Sequence, residues 1–223
     1  MPENEASRIL IVDDHPVVRR GLRQLIDGQP DFRVAGEAAN AGDTLALCAE
    51  APPDLVLLDL ALEGPTNGID LTKQLQAHYP DLPVLIMSMH EETIYAERAL
   101  TAGARGYVMK RTPDEEVIGA IGRVLDGRLA VSDKIRERLF PLETGPASTD
   151  GLAPTDRLTD RELEVFVLIG KGHEPRHIAE RLSVSVKTVN THRRHLKQKL
   201  HLDDATELRR YAIAWHKERD VRQ

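Results

Sequence analysis

The stretch RILIVDD (8–14) is a short, nearly continuous apolar run that ends abruptly in two carboxylates. The same form recurs in DLVLLD (54–59), PVLIMS (83–88) and GYVMK (106–110), with a more polar version in FRVAGE (32–37). Runs without alternation suit strands buried on both faces of a parallel sheet. Between them the apolar spacing turns helical, at 16–27, 42–50, 68–78, 91–102 and 113–126. Thr112, Pro113 and Glu115 read as N-cap, first helical residue and capping-box partner of the last of these. Five such units predict a doubly wound α/β domain with a five-stranded parallel sheet and right-handed crossovers.

Past that point the character changes. The segment LFPLETGPASTDGLAPTDRL (139–158) is rich in proline, glycine, serine and threonine and has no apolar period. It reads as a linker, preceded by a short helix over 133–139 capped by Ser132. Beyond it the pattern is purely helical, at 160–170, 175–182, 186–200 and 204–218, with Thr159 and Glu162 as a capping box. The chain thus divides into 1–127, a linker 128–154, and an all-α four-helix unit 155–223. Charge divides with it. Residues 1–150 hold 15 basic and 25 acidic side chains, a balance of −10, whereas 151–223 hold 15 and 11, a balance of +4. A basic back half suits a polyanionic partner.

The acidic N-terminus lacks a basic, apolar leader, and no apolar stretch approaches membrane-spanning length. With one cysteine, Cys48, a disulfide framework and a cysteine-rich zinc site are excluded. These features lead to the expectation of a cytoplasmic protein with no membrane partner.

The carboxyl ends of parallel strands share one edge of the sheet, where functional groups of such folds gather. Here that edge receives Asp13, Asp14, Asp59, Ser88 and Lys110. Two carboxylates about 4 Å apart repel by roughly 4 kcal/mol at an effective dielectric of 20, so three require a cation or shifted pKa values. Hard oxygen donors with room for water and phosphate suit Mg²⁺. Asp59 can then act as a nucleophile toward phosphorus, with Lys110 and the Ser88 hydroxyl on the phosphoryl oxygens.

The blocks LIVDDH (10–15), LVLLDLAL (55–62), VLIMSMH (84–90) and GYVMKR (106–111) resemble the motif blocks of receiver domains in bacterial two-component signalling. The resemblance implies phosphorylation of Asp59 by a sensor histidine kinase. It implies Mg²⁺ held by Asp14, Asp59 and the Ala61 carbonyl, with Asp13 acting through water. It makes Ser88 and Tyr107 a switch pair, although Tyr107 also reads as an ordinary packed strand aromatic. Two positions depart from the pattern. Glu63 stands where many receivers carry proline, in a loop one residue longer, and Arg111 replaces the frequent proline or aspartate after Lys110.

On a helix through 186–200, Val189, Leu196 and Leu200 share one side, while Lys187, Asn190, Thr191, Arg194 and Gln198 share the other. Such a stripe is either a solvated face or a recognition surface for the DNA major groove. Asn190 can pair with adenine, Arg194 with guanine, and the Thr191 methyl with thymine. Arg193 and Lys197, at the margin, suit phosphates.

The segments LTDRELEVFVLIGKG (158–172) and HIAERLSVSVKTVNTHRRHLKQKL (177–200) resemble the LuxR-type helix-turn-helix domain, with Glu174-Pro175 as a departure. That resemblance implies base contact by Asn190, Thr191 and Arg194, and backbone contact by Lys187, Arg193 and Lys197. It places Leu208, Tyr211, Ala212 and Trp215 at a DNA-bound homodimer contact; Trp215 equally suits the domain core. Together the two modules resemble NarL/FixJ response regulators, which implies RNA polymerase as a further partner and no enzymatic turnover beyond slow self-dephosphorylation. An aspartate-based phosphatase fits less well, because its usual second acid would fall at Ala61 and no cap domain is present. A phosphorylation-independent interaction module is disfavoured by the intact acidic set.

Overall fold

The computed structural model describes residues 6–62, 66–139 and 154–220. They fall in two compact units, Met1–Thr144 and Gly145–Gln223. The first alternates strands β1 (Ser7–Val12), β2 (Phe32–Ala38), β3 (Leu55–Asp59), β4 (Val84–Ser88) and β5 (Gly106–Met109) with helices α1 (Pro16–Asp27), α2 (Ala41–Glu50), α3 (Gly68–His78), α4 (Glu92–Thr101) and α5 (Asp114–Leu125). The strands pair in the order β2-β1-β3-β4-β5, all parallel. Every residue of β3 and β4 is buried, the expected state of strands covered on both faces.

Alternation sorts the strand residues between two faces. Ile9, Ile11, Leu55, Leu57, Leu85 and Met87 pack with Leu22 and Ile26 of α1 and with Val117, Ala120, Ile121 and Val124 of α5. Each such side chain contributes about 1.5–3 kcal/mol by leaving water. Local caps fix the helix starts: Asn40 accepts from Asp43 N and Asn67 from Asp70 N, each at 2.9 Å. The expected cap at Thr112 is corrected. α5 begins at Asp114 with the extended Pro113 as its N-cap and no side-chain cap, and Asp114, Glu115 and Glu116 complement the helix dipole instead.

The helix read as part of the linker is present as α6 (Asp133–Leu139), but it packs on α4. Ile135 is buried there, so the first unit runs past 127.

In the second unit a 3-10 turn (Pro154–Arg157), read from sequence as linker, precedes α7 (Asp160–Gly170), α8 (Pro175–Arg181), α9 (Val186–Leu200) and α10 (Ala205–Asp220). Thr155 and Leu158 are buried, which explains why that turn is ordered. The Thr159–Glu162 capping box forms as expected. α7 is buried almost throughout and meets α10 closely: a Cβ on Gly170 would lie 2.7 Å from the Ala212 carbonyl oxygen. Phe166 stacks edge-on to Trp215 with centroids 5.4 Å apart.

Candidate functional site

The five polar groups read at the strand ends come from four separate pieces of chain, and the sheet brings them to one edge. Asp13 and Asp14 follow β1, Asp59 and Ser88 end β3 and β4, and Lys110 follows β5. Lys110 Nζ donates to Asp13 Oδ2 at 2.6 Å and to Asp59 Oδ2 at 2.7 Å. The other Asp59 oxygen accepts the Ala61 N–H at 3.2 Å. Asp13 Oδ1 accepts the His15 N–H at 2.8 Å, and Arg19 bonds the Asp13 carbonyl at 2.6 Å, tying α1 to the site.

Burial pushes the Asp59 carboxyl up and the ammonium of Lys110 pulls it back, leaving a net rise. For Lys110 burial acts in the opposite sense, but the charge of Asp59 and the bonds to both carboxylates outweigh it and raise the ammonium. One cation therefore serves two buried anions. Ligand atoms of Asp13, Asp14, His15 and Asp59 all lie within 4.8 Å of one another. Three carboxylates at this separation with one lysine retain excess negative charge, and their hard oxygens could hold a divalent cation.

Beside this cluster Ser88 is fully buried and its Oγ accepts the His90 N–H at 3.0 Å. Tyr107 is buried too, and its hydroxyl donates to the His90 carbonyl at 2.8 Å. Burial raises the phenol's pKa, against a hydrogen bond with Ser88. Ser88, His90 and Tyr107 thus close a small ring. His90 was missed from sequence because it acts through its backbone, which carries no residue-type signal.

In the helical unit Val189, Leu196 and Leu200 are buried, whereas Lys187, Asn190, Arg194 and Gln198 are exposed; Thr191, Arg193 and Lys197 are half-buried. Among the described residues no salt bridge holds Arg193, Arg194 or Lys197. Ser185 caps α9 by accepting from Thr188 N at 3.0 Å. The turn from α8 passes through Ser183 in the left-handed region, at φ 48°.

Residues 9–122 match the response regulator receiver domain, and residues 156–212 match the bacterial regulatory proteins of the luxR family. The chain belongs to the two-component response regulators. The oxygen regulatory protein NreC of Staphylococcus carnosus is 35% identical over 209 residues, covering 92% of this chain and 96% of NreC. A LuxR-family two-component response regulator from Aurantimonas sp. SI85-9A1 is 40% identical over 61% of this chain and all of its own, with a TM-score of 0.57. RcsB of Salmonella enterica serovar Typhimurium, solved on promoter rprA with phosphomimetic BeF3-, shares the fold at 23% identity. It covers 93% of this chain and 98% of its own, with a TM-score of 0.62.

As a response regulator the chain joins a receiver to a LuxR-type helix-turn-helix DNA-binding domain. Among the described residues no helix is long and apolar enough to cross a membrane. The departure at Glu63 lies outside the described residues; Arg111 is exposed. Of the four residues expected at a dimer contact, Leu208 and Ala212 are 1% and 0% exposed within the domain and offer no surface, whereas Tyr211 is half-buried. Trp215, which also suited the domain core, is half-buried and packs on Phe166.

Proposed function

We propose that Asp59 accepts a phosphoryl group from a phosphohistidine of a sensor kinase and thereby controls DNA binding by α9. The carrying observation is Lys110 Nζ bonded to both Asp13 and Asp59, at 2.6 and 2.7 Å. An Asp59 oxygen attacks phosphorus as the donor P–N bond breaks; the imidazole leaves with the electron pair and takes up a proton. Lys110 exchanges its bond to Asp59 for one to a phosphoryl oxygen, keeping the new charge paired. Ser88 Oγ accepts from His90 N, and its O–H, bonded to Tyr107 in the ring, would turn from that partner to donate to the phosphoryl group. Asp13, Asp14 and Asp59, with the Ala61 carbonyl, would hold Mg²⁺, whose charge stabilises the phosphoryl oxygens in transfer. Tyr107 follows Ser88 as the switch aromatic.

On the DNA side, Asn190, Thr191 and Arg194 read bases, and Lys187, Arg193 and Lys197 contact phosphates. The Thr191 hydroxyl bonds the Lys187 carbonyl at 3.1 Å, so its methyl is what remains to offer a thymine. Binding as a homodimer, recruitment of RNA polymerase and a cytoplasmic location complete the reading. Its output is occupancy of DNA, with turnover limited to slow loss of the phosphoryl group.

The test is incubation of the full chain with Mg²⁺ and acetyl phosphate beside Asp59→Asn, followed by intact mass. The wild type gains one phosphoryl group and the variant none. Equal labelling of both refutes the assignment.

A further inference from the structure

The segment after α5 is bonded to the two elements that flank the Ser88–His90–Tyr107 ring. Ala130 N donates to the Arg105 carbonyl at 3.0 Å, and Tyr107 N donates to the Ala130 carbonyl at 2.8 Å, a parallel bridge on the free edge of β5. The approach is so close that a Cβ on Gly106 would sit 2.6 Å from the Ala130 oxygen. Ser132 N donates to Glu92 Oε1 at 2.9 Å, at the start of α4. From α6, Arg138 reaches the Thr93 carbonyl at 3.1 Å and Glu97 Oε2 at 2.9 Å. Ala130, Val131 and Ile135 are buried beneath these polar anchors.

Both ends of this arrangement lead to the switch. The backbone N–H of Tyr107 holds Ala130, while its hydroxyl holds the His90 carbonyl. Glu92, which holds Ser132, lies two residues past His90, whose N–H rests on Ser88 Oγ. If Ser88 turns toward a phosphoryl group, His90 N loses its acceptor, and the backbone leading into α4 is released together with Glu92 and Thr93. The geometry points to residues 128–139 as a clasp that is docked on β5 and α4 in the unphosphorylated receiver and undocks when Asp59 is phosphorylated. The clasp rests on the phosphoacceptor reading of Asp59. Its polar anchors suit a reversible contact: the Arg138 and Glu97 side chains are 50% and 55% exposed, where an ion pair is weak and readily exchanged for water. The clasp is the last described stretch of the first unit before the helical unit in the chain.

Amide hydrogen exchange of the full chain, with phosphorylation read by intact mass, tests this. With Mg²⁺ and acetyl phosphate, peptides covering 128–139 are expected to exchange about fivefold faster or more, while α1 peptides stay unchanged. A chain that carries the phosphoryl group with 128–139 still fully protected overturns the clasp and leaves Asp59 as acceptor. A chain that takes up no phosphoryl group overturns both. Without phosphate, Arg138→Glu is expected to raise exchange of α6 about two- to fivefold. Pairing it with Glu97→Arg is expected to restore protection. Unchanged protection in Arg138→Glu also overturns the proposal.

Discussion

Lys110 and Arg194 are both cations suited to phosphate or base chemistry, yet the molecule builds their surroundings in opposite ways. Lys110 is 11% exposed and touches two carboxylates, Asp13 just past β1 and Asp59 at the end of β3, so its position depends on strands far apart in sequence. Arg194 stands exposed on one face of α9, positioned by the period of a single helix. A site of the first kind is coupled and sensitive to distant backbone; one of the second kind is modular. Phosphoryl chemistry needs the former, because several charges must meet at one atom. DNA reading needs the latter, because each side chain meets its own base or phosphate.

The largest expected effect breaks the coupled site without touching its functional side chains. Gly68 opens α3 with its N–H on the Leu60 carbonyl at 2.8 Å. A Cβ there would lie 2.7 Å from Leu60 Cα and against the Asp59 carbonyl, where only backbone is available to give way. Gly68→Ala is expected to cost about 3 kcal/mol, read by native-state exchange of β3 amides, and to reduce phosphoryl uptake by Asp59. Asn190→Ala, on the exposed stripe, is expected to stay within about 0.5 kcal/mol. Equal stability of Gly68→Ala and wild type would remove the claim of close approach.

Double-mutant cycles sharpen the contrast. Asp13→Ala and Lys110→Ala are expected to show a coupling of about 1–3 kcal/mol in receiver stability, since each change alters the charge that the other group sees. Arg194→Ala and Lys197→Ala, assayed on DNA affinity, are expected to add within about 0.5 kcal/mol. Separately, Arg194→Ala relaxes base choice by about 1–3 kcal/mol, and Lys197→Ala lowers the salt slope by about one. Strong coupling in the second pair together with additivity in the first would reverse the comparison.

The same contrast governs what could be read before the structure. The apolar runs of β3 and β4 and the strand-end positions of Asp13, Asp59, Ser88 and Lys110 were legible, because a doubly wound sheet converts chain order into one edge. The buried side of α9 was legible from Val189, Leu196 and Leu200 alone. Docking of α6 was not. Ile135 is a single buried apolar residue in DKIRERL, and its polar anchors Glu92 and Glu97 lie some 40 residues upstream. The role of His90 is carried by backbone, and the period of α10 gave its apolar stripe without saying that α7 would cover Leu208 and Ala212.

The smallest expected effect separates two uses of a buried carboxylate. In the receiver buried acids are the site; in the helical unit Glu162 holds the frame behind an exposed one. Glu162 is 3% exposed, and its Oε2 accepts from Lys199 Nζ at 2.6 Å and Thr159 N at 2.8 Å. Burial alone raises its pKa, but the bonds from Lys199 and Thr159 outweigh that and leave it below the usual 4.5. A carboxyl depressed by folding contributes stability that is fully present above about 4.5 and is lost as pH falls through the lower folded value. The single tryptophan, Trp215, packs on Phe166 in this unit, so its fluorescence follows unfolding here and not in the receiver. Glu162→Gln is expected to lower the urea midpoint at pH 7 by an amount worth about 1 kcal/mol and to flatten its decline below pH 4.5. Base choice by Arg194 is expected to stay unchanged at pH 7. An acid decline as steep in the variant as in the wild type would show that the carboxylate does not hold this frame, and a loss of base choice would show that the stripe on α9 is less modular than its exposure implies.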